Sequence, residues 1–497
     1  MLRCALCMVT AFLAATGAAP AGESAPASQP VVCEKADGYH GIWYAGGELP
    51  GEYRYQFSGG LATFSPQHVP MAIHAEKANK TFFVYGGMPT DGHQVEENRR
   101  LLIMVSYFDH KTGMVPRPRM LLDRQTDTAF ENPTLAMDSE GYLWVFVGCH
   151  GTARPSYVFR SREPHSIDAF QRVAETAFSM PQPWHVEGRG FVLLHTTYDG
   201  PISRLRALTS KDGASWSEPI VLASIEAGHN QVSWQYKDKI ATAFDYCPRQ
   251  GAGNSRTNLY YVETRDAGKT WVNAKGEKLD LPLTTVENKA LVRSYEATGR
   301  RTYVKDLTFD ARGNPIILFL VAKGYRPGPL SNPRIWTTAR WRGRDWEFTG
   351  AIRSANNLEA GCLFFDKMDR WWMIAPTDRG AAPFYLGGEV VAWFSRDQGA
   401  SWARWTFTEK SEFNHTGIHR PVNANPGFWV FWADGDARQP SPSRLYFADR
   451  EGIVYRLPTK MSEEFEKPAV MPIPSARRPA STPASSPASQ PTATQEE

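Results

Sequence analysis

Polar turns holding Asp, Asn, Lys or Gly alternate with runs of apolar and aromatic residues along this chain, and one such pairing recurs seven times. The runs lie at 81–85, 142–146, 191–195, 240–244, 315–319, 370–374 and 428–432, each behind a turn that begins at 76, 138, 187, 237, 310, 366 or 425. Runs this short between turn residues have the length of β-strands, and long helical periodicity is absent. Successive turns stand 49 to 73 residues apart, which accommodates four short strands and their connections. The pattern predicts an all-β chain, a seven-bladed β-propeller over residues 36–458. A β-sandwich or β-helix is the alternative, but the spacing is too long for a β-helix coil. Residues 444–447 or 454–457 are expected to share a sheet with 41–44, which would lock the last blade to the first and remove exposed edges.

Three stretches repeat one another more closely: 210–216, 264–271 and 395–402 each set a hydroxyl residue, an Asp, a Gly and a Trp in the order of the Asp-box, or BNR, turn. In such a turn the Asp accepts backbone N–H groups, the Gly takes positive φ and the Trp packs between sheets. Asp212, Asp266 and Asp397 are therefore read as structural, not catalytic.

Composition narrows the function. With a net charge of +3 and 22% charged residues among 497, the chain offers no strong field to draw nucleic acid. Its 16 Trp, 19 Tyr and 26 Phe suit face-to-face packing of short strands and also sugar stacking. Residues 1–21 have the layout of a signal peptide, with an apolar stretch too short for a membrane span, so the expectation is a secreted or periplasmic protein. Cys33, Cys149, Cys247 and Cys362 are too widely spaced for a disulfide framework or a zinc site. His415 and His419 have the spacing of a helical metal pair, but Gly417, Arg420 and Pro421 argue for a loop there. No metal or cofactor is expected; loop oxygens would suit a structural Ca²⁺, without a Ca²⁺-loop motif. Residues 22–35 read as a linker, and 459–497, rich in Pro, Ala, Ser and Thr, as a disordered tail.

Several segments then act as a set: 38–44, 80–87, 105–118, 149–157, 228–231, 256–260 and 420–423. Together they resemble the BNR-4 repeat family of secreted bacterial propellers, which includes lyases of ulvan and rhamnosyl-glucuronate linkages; its wider relatives include an α-L-rhamnosidase that relies on a histidine. The resemblance implies an acidic, uronate- and rhamnose-containing polysaccharide as partner and β-elimination as the chemistry. That reaction needs the carboxylate neutralised, a base for the C5 proton and an acid for the leaving oxygen. His, Tyr and Arg suit these tasks. His150, His229 and Tyr246 are the catalytic candidates, and Arg256, Tyr198 and Arg204 the substrate-binding ones, all close to ends of predicted strands where loops gather. His150, His229, Tyr246 and Arg256 are expected to converge on one face. Ulvan-lyase-like members often carry a His two residues ahead of an Asn-Pro; here Phe130 precedes Glu131, Asn132 and Pro133. His40 is the alternative catalytic residue, for a glycoside hydrolase of the rhamnosidase type. A sialidase would usually show Arg-Ile-Pro near the first blade, and the chain has none. A propeller that binds acidic glycans without cleaving them is the third class.

Overall fold

A computed structural model describes residues 30–475 except 62–66, 90–98, 152–153, 200–201, 252–253, 367 and 369, and again 481–483. The expected export segment at 1–21 and residues 22–29 of the linker lie outside the described residues.

Among the described residues, seven antiparallel sheets, each built on four strands, follow one another along the chain at 72–123, 133–176, 179–223, 231–293, 301–353, 362–406 and 414–456. We number them blades 1 to 7. Strands pair in sequence order within each blade, and the blades form a β-propeller. The second strands, such as Leu143–Val147 in blade 2 and Lys239–Tyr246 in blade 4, are buried along their whole length. Each is covered by a neighbouring blade on both faces, so its sequence is a continuous apolar run in place of the alternation of a half-exposed strand.

The seven turns read from sequence all fall between the first and second strands of a blade. In three of them one carboxylate organises the bend: Asp138, Asp310 and Asp366 each accept backbone N–H groups from the residues two and four further on. The Asp-boxes fill turns between third and fourth strands. Asp266 accepts from the Thr270 N–H at 2.9 Å and from the hydroxyls of Thr270 and Thr264 at 2.7 and 2.8 Å. Asp212 and Asp397 are held in the same way. Partial burial pushes these carboxyls upward, but their hydrogen bonds outweigh it and hold all three below the usual carboxylate range. Gly213, at φ +75°, is required twice over, because a Cβ there would stand 2.3 Å from the ring of Trp144 in blade 2. Trp216 packs on Phe146 and Phe191 of blades 2 and 3, Trp271 is buried in the cluster joining blades 3 and 4, and Trp402 in the one joining blades 5 and 6.

Antiparallel strands sort the connections between two faces. First-to-second and third-to-fourth strand turns share one, the turn face. Second-to-third and blade-to-blade connections share the other, the loop face.

Closure of the ring differs from expectation. Neither 444–447 nor 454–457 pairs with 41–44; Gly41 and Ile42 pair instead with Ser443 and Pro442, and Gly41 also with Gly87 of blade 1. A second seam runs from Val422 to blade 1, where its N–H donates to the Ala72 carbonyl and its carbonyl accepts from the His74 N–H, both at 2.9 Å. Two short seams suffice because blades 1 and 7 are each complete in themselves. Trp43 is buried beside Gly435, where a Cβ would lie 2.2 Å from its ring, so glycine makes the close approach.

Two segments read as unstructured are ordered. Residues 30–32 and 34–35 pair with the outer strands of blades 2 and 1. Residues 459–475, assigned to the tail, run back over blades 1 and 7: Phe465–Glu466 pairs with Val115–Pro116, Ala469–Val470 pairs with blade 7, and Arg117 donates to the carbonyls of Met461, Ser462 and Glu463. Their low apolar content concealed this, since they are held by main-chain pairing and charge more than by burial.

Candidate active site

A cavity of about 620 Å³ opens on the loop face, lined by Phe130, Tyr198, Asn230, Arg249 and Arg256, with the backbone of the 44–47 strand along one side. That size suits a short oligosaccharide. Its walls come from connections of blades 1 to 4 and from the hairpin Gly41–Glu48 and Tyr55–Gly60.

Phe130 sits on a single 3-10 turn, Ala129–Glu131, that is fastened from below. The buried Glu131 carboxylate is gripped by Arg124 and Arg154, and Asn132 accepts the Tyr44 hydroxyl at 2.7 Å. His150 stacks flat on Phe130, with ring centroids 3.9 Å apart and planes at 5°. Tyr198 meets both rings edge-on, at 5.6 Å from Phe130 and 5.3 Å from His150. Three rings from blades 2 and 3 thus form one corner of the site. Partial burial lowers the His150 pKa against the pull of Glu131, so the imidazole is neutral at neutral pH. Burial raises the Tyr198 pKa against the opposing Arg256 charge, so its hydroxyl keeps its proton.

Arg256 supplies a cation. Its Nη1 lies 3.1 Å from Oδ1 of Asp245, a fully buried carboxylate that also accepts the Asn230 N–H at 3.1 Å. Asp245 fixes one edge of the guanidinium, which also lines the cavity. Arg249 stands exposed at the rim and is a second cation that sequence reasoning missed, although it lies in the same loop region as Arg256. Tyr44 was also missed; its place in the first strand gave no hint of contact with blade 2.

Of the four residues expected to converge, Arg256 lines the cavity and His150 abuts it through its stack on Phe130, whereas His229 and Tyr246 do neither; Tyr198, a substrate-binding candidate, lines it. His229 is buried behind Arg256, with Nε2 accepting the Ile225 N–H and Nδ1 donating to the Asp245 carbonyl, both at 3.0 Å. Both ring nitrogens are occupied by backbone, and burial lowers its pKa to about 4. Its work is to hold the loop that carries Asn230. The Tyr246 hydroxyl donates to Glu296 at 2.6 Å inside blade 4 and does not line the cavity; burial and then this carboxylate push its pKa far above the ordinary tyrosine value. Arg204 is outside the lining too, one step along the strand from the Tyr198–Ser203 pair that forms part of it. His40 precedes the Gly41–Glu48 strand at the seam, 3.8 Å from Asp37 and away from the cavity.

His415 and His419 form no metal pair. They occupy a strand, Asn414–His419, not a loop, and His415 is engaged by Trp432 and Ser411 at 3.0 and 2.9 Å. Among the described residues no group of three or more His, Cys, Asp or Glu is placed to hold a metal ion, and no helix is long and apolar enough to cross a membrane.

Fold and Asp-box turns define an Asp-box β-propeller, and residues 103–351 match the model of the BNR repeat-containing family, to which this chain belongs. Among characterised relatives it is similar to an ulvan lyase of Nonlabens ulvanivorans, 26% identical over 249 residues, covering 43% of this chain and 52% of that one. It is also similar to the ulvan lyase PL25 of Pseudoalteromonas sp. (strain PLSV), 24% identical over 56% of this chain and 63% of that protein. These matches span about half to under two thirds of the relatives' length. A solved polysaccharide lyase PL25 ulvan lyase superposes with a TM-score of 0.63 at 17% identity, over 84% of this chain and 96% of that one. The same type of enzyme bound to -[GlcA(1-4)Rha3S]- gives 0.62 at 18% identity, with the same coverage. At such identities the likeness carries the fold.

Proposed function

We propose that this protein is a polysaccharide lyase that cleaves an acidic, uronate- and rhamnose-containing polysaccharide by β-elimination. The carrying observation is one sugar-sized cavity lined by Arg256, Arg249 and Tyr198, with His150 stacked against its Phe130 and Tyr198 wall. Arg256 and Arg249 pair with the uronate carboxylate and lower the pKa of the C5 proton. Neutral His150 takes that proton, the C4–O bond breaks as the C4–C5 double bond forms, and the Tyr198 hydroxyl protonates the departing oxygen. A retaining or inverting hydrolase of the usual kind would instead use two carboxyl groups flanking the bond, and among the described residues Asp127 is the one carboxylate lining this cavity. The relatives are ulvan lyases, which supports the same class of substrate. The same reading takes residues 1–21 as an export signal, tested by N-terminal sequencing of protein recovered outside the cytoplasm.

Incubation with ulvan and other uronate polysaccharides should produce rising ultraviolet absorbance as conjugated unsaturated uronate accumulates. Release of saturated sugars without that rise overturns the lyase. One observation favours a second reading, a glycan-binding propeller without catalysis: Phe130 occupies the place where ulvan-lyase-like members often carry a His. Retained polysaccharide binding with no cleavage would establish it.

A further inference from the structure

On the turn face, at the opposite end of the strands from the active-site cavity, lies a second cavity of about 710 Å³. It is lined by the ends of first strands in blades 4, 6 and 7, by first-to-second strand turns of blades 6 and 7, and by Arg450 from a third-to-fourth strand turn. It therefore opens around the propeller axis. No residue of the proposed lyase chemistry reaches it.

Two kinds of side chain dominate its wall. The first is aromatic: Trp429 packs against Phe364 at 4.5 Å between centroids and meets Trp372 edge-on at 5.5 Å, so these rings hold one another rigid. Across from them, Trp234 carries the Arg420 guanidinium 3.3 Å above its ring. The second kind is cationic. Arg420 is neutralised by a two-pronged pair with Asp306, at 2.9 and 3.2 Å. Arg370 and Arg450 share a single carboxylate, Asp366; Arg450 approaches its Oδ2 at 3.7 Å. Two guanidinium groups on one carboxylate leave a net positive charge at the rim, where Arg370 and Arg450 are 33% and 40% exposed.

Fixed aromatic faces beside partly exposed guanidinium groups match a pyranose ring that carries an anionic substituent: the C–H face lies on indole and the carboxylate or sulfate pairs with arginine. A lipid chain would have to desolvate the arginines, and a cavity of this size is too small for a protein surface of ordinary area.

We propose that this turn-face cavity is a second, non-catalytic binding site for an acidic oligosaccharide of the polysaccharide class assigned above, with the partly exposed Trp372, backed by the buried Trp429, as the platform and Arg370 and Arg450 as the anion contacts. The substrate class rests on the proposed function; the site does not require that the active-site cavity be catalytic. Occupied together, the two sites would tether one face of the propeller to polymer while the other works along it.

The test uses the full chain and an acidic ulvan oligosaccharide, with a neutral glucan oligosaccharide as control, read by isothermal titration calorimetry. In a Tyr198→Phe, Arg249→Ala background, which weakens the active-site cavity, binding of the acidic oligosaccharide should persist. Adding Arg370→Ser and Arg450→Ser should then weaken it about tenfold or more, the usual loss for charge-assisted hydrogen bonds. Trp372→Ala should do the same, and because that ring also packs in the blade, the two surface arginines keep the test valid if the Trp variant does not fold. In the otherwise native protein, the arginine pair of substitutions should raise KM for long polysaccharide and leave kcat on a short oligosaccharide unchanged. Unchanged affinity after the arginine substitutions, or equal affinity for the neutral glucan, overturns the second site. Absence of unsaturated product with binding intact overturns the lyase reading alone.

Discussion

At the scale of the residue, the candidate site is decided by which side chains have a free edge. Arg256 and His229 both contact Asp245, yet one lines the cavity and the other is buried behind it. Arg249→Ala should raise KM for an acidic polysaccharide severalfold with an unchanged melting temperature, because the side chain is exposed; steady-state kinetics beside a thermal melt checks this. Arg256→Ala would instead leave the buried Asp245 without its partner and cost about 3 kcal/mol of stability, so Arg256→Lys is the variant for kinetics. Phe130→His should fold normally, since the replacement ring is flat and keeps the stack on His150, and should raise kcat if proton transfer is limiting; an unchanged rate removes position 130 from the chemistry. The buried histidines set an acid limit. Burial lowers His68, His195 and His229 to about 4 and His419 to about 3, below the value near 6.5 they take when unfolded. The unfolded chain then binds more protons between these values, so stability is full above pH 6.5 and is lost as pH falls toward 4. Melting temperatures across that window should show the fall, and His229→Gln should flatten it.

At the scale of the element, each turn is a small hydrogen-bonded unit. The Asp-box of Asp266 was legible in the sequence because everything it needs lies within eight residues, from Thr264 to Trp271. Asp266→Ala removes three hydrogen bonds on the turn face and should cost about 1 to 2 kcal/mol, visible as a lower melting temperature, with kcat unchanged because the active-site cavity is on the loop face. The 3-10 turn that carries Phe130 is the opposite case. Its sequence shows the residue, but its position depends, beyond Arg124 of its own connection, on Arg154 from a loop within blade 2 and on Tyr44 from the Gly41–Glu48 strand.

At the scale of the whole molecule, the ring is closed by short seams and then strapped by 459–475. Lys35 and Arg119 pair with Glu464 at 2.9 and 3.2 Å, and Met461 is buried. Ending the chain at Pro458 should lower the melting temperature by a few degrees, while kcat stays the same, since the strap does not line the cavity. The sequence by itself determined the class of fold, the number of repeated units and the structural role of the Asp-box carboxylates, because strand length, turn chemistry and the apolar second strands are local properties. It also brought out His150, Tyr198 and Arg256. Tertiary structure alone decided that His229 and Tyr246 face inward, that Arg249 and Tyr44 join the site, and that 459–475 is ordered. Those outcomes depend on which groups from distant blades meet a given ring or carboxylate, and no local pattern of residues encodes such a meeting.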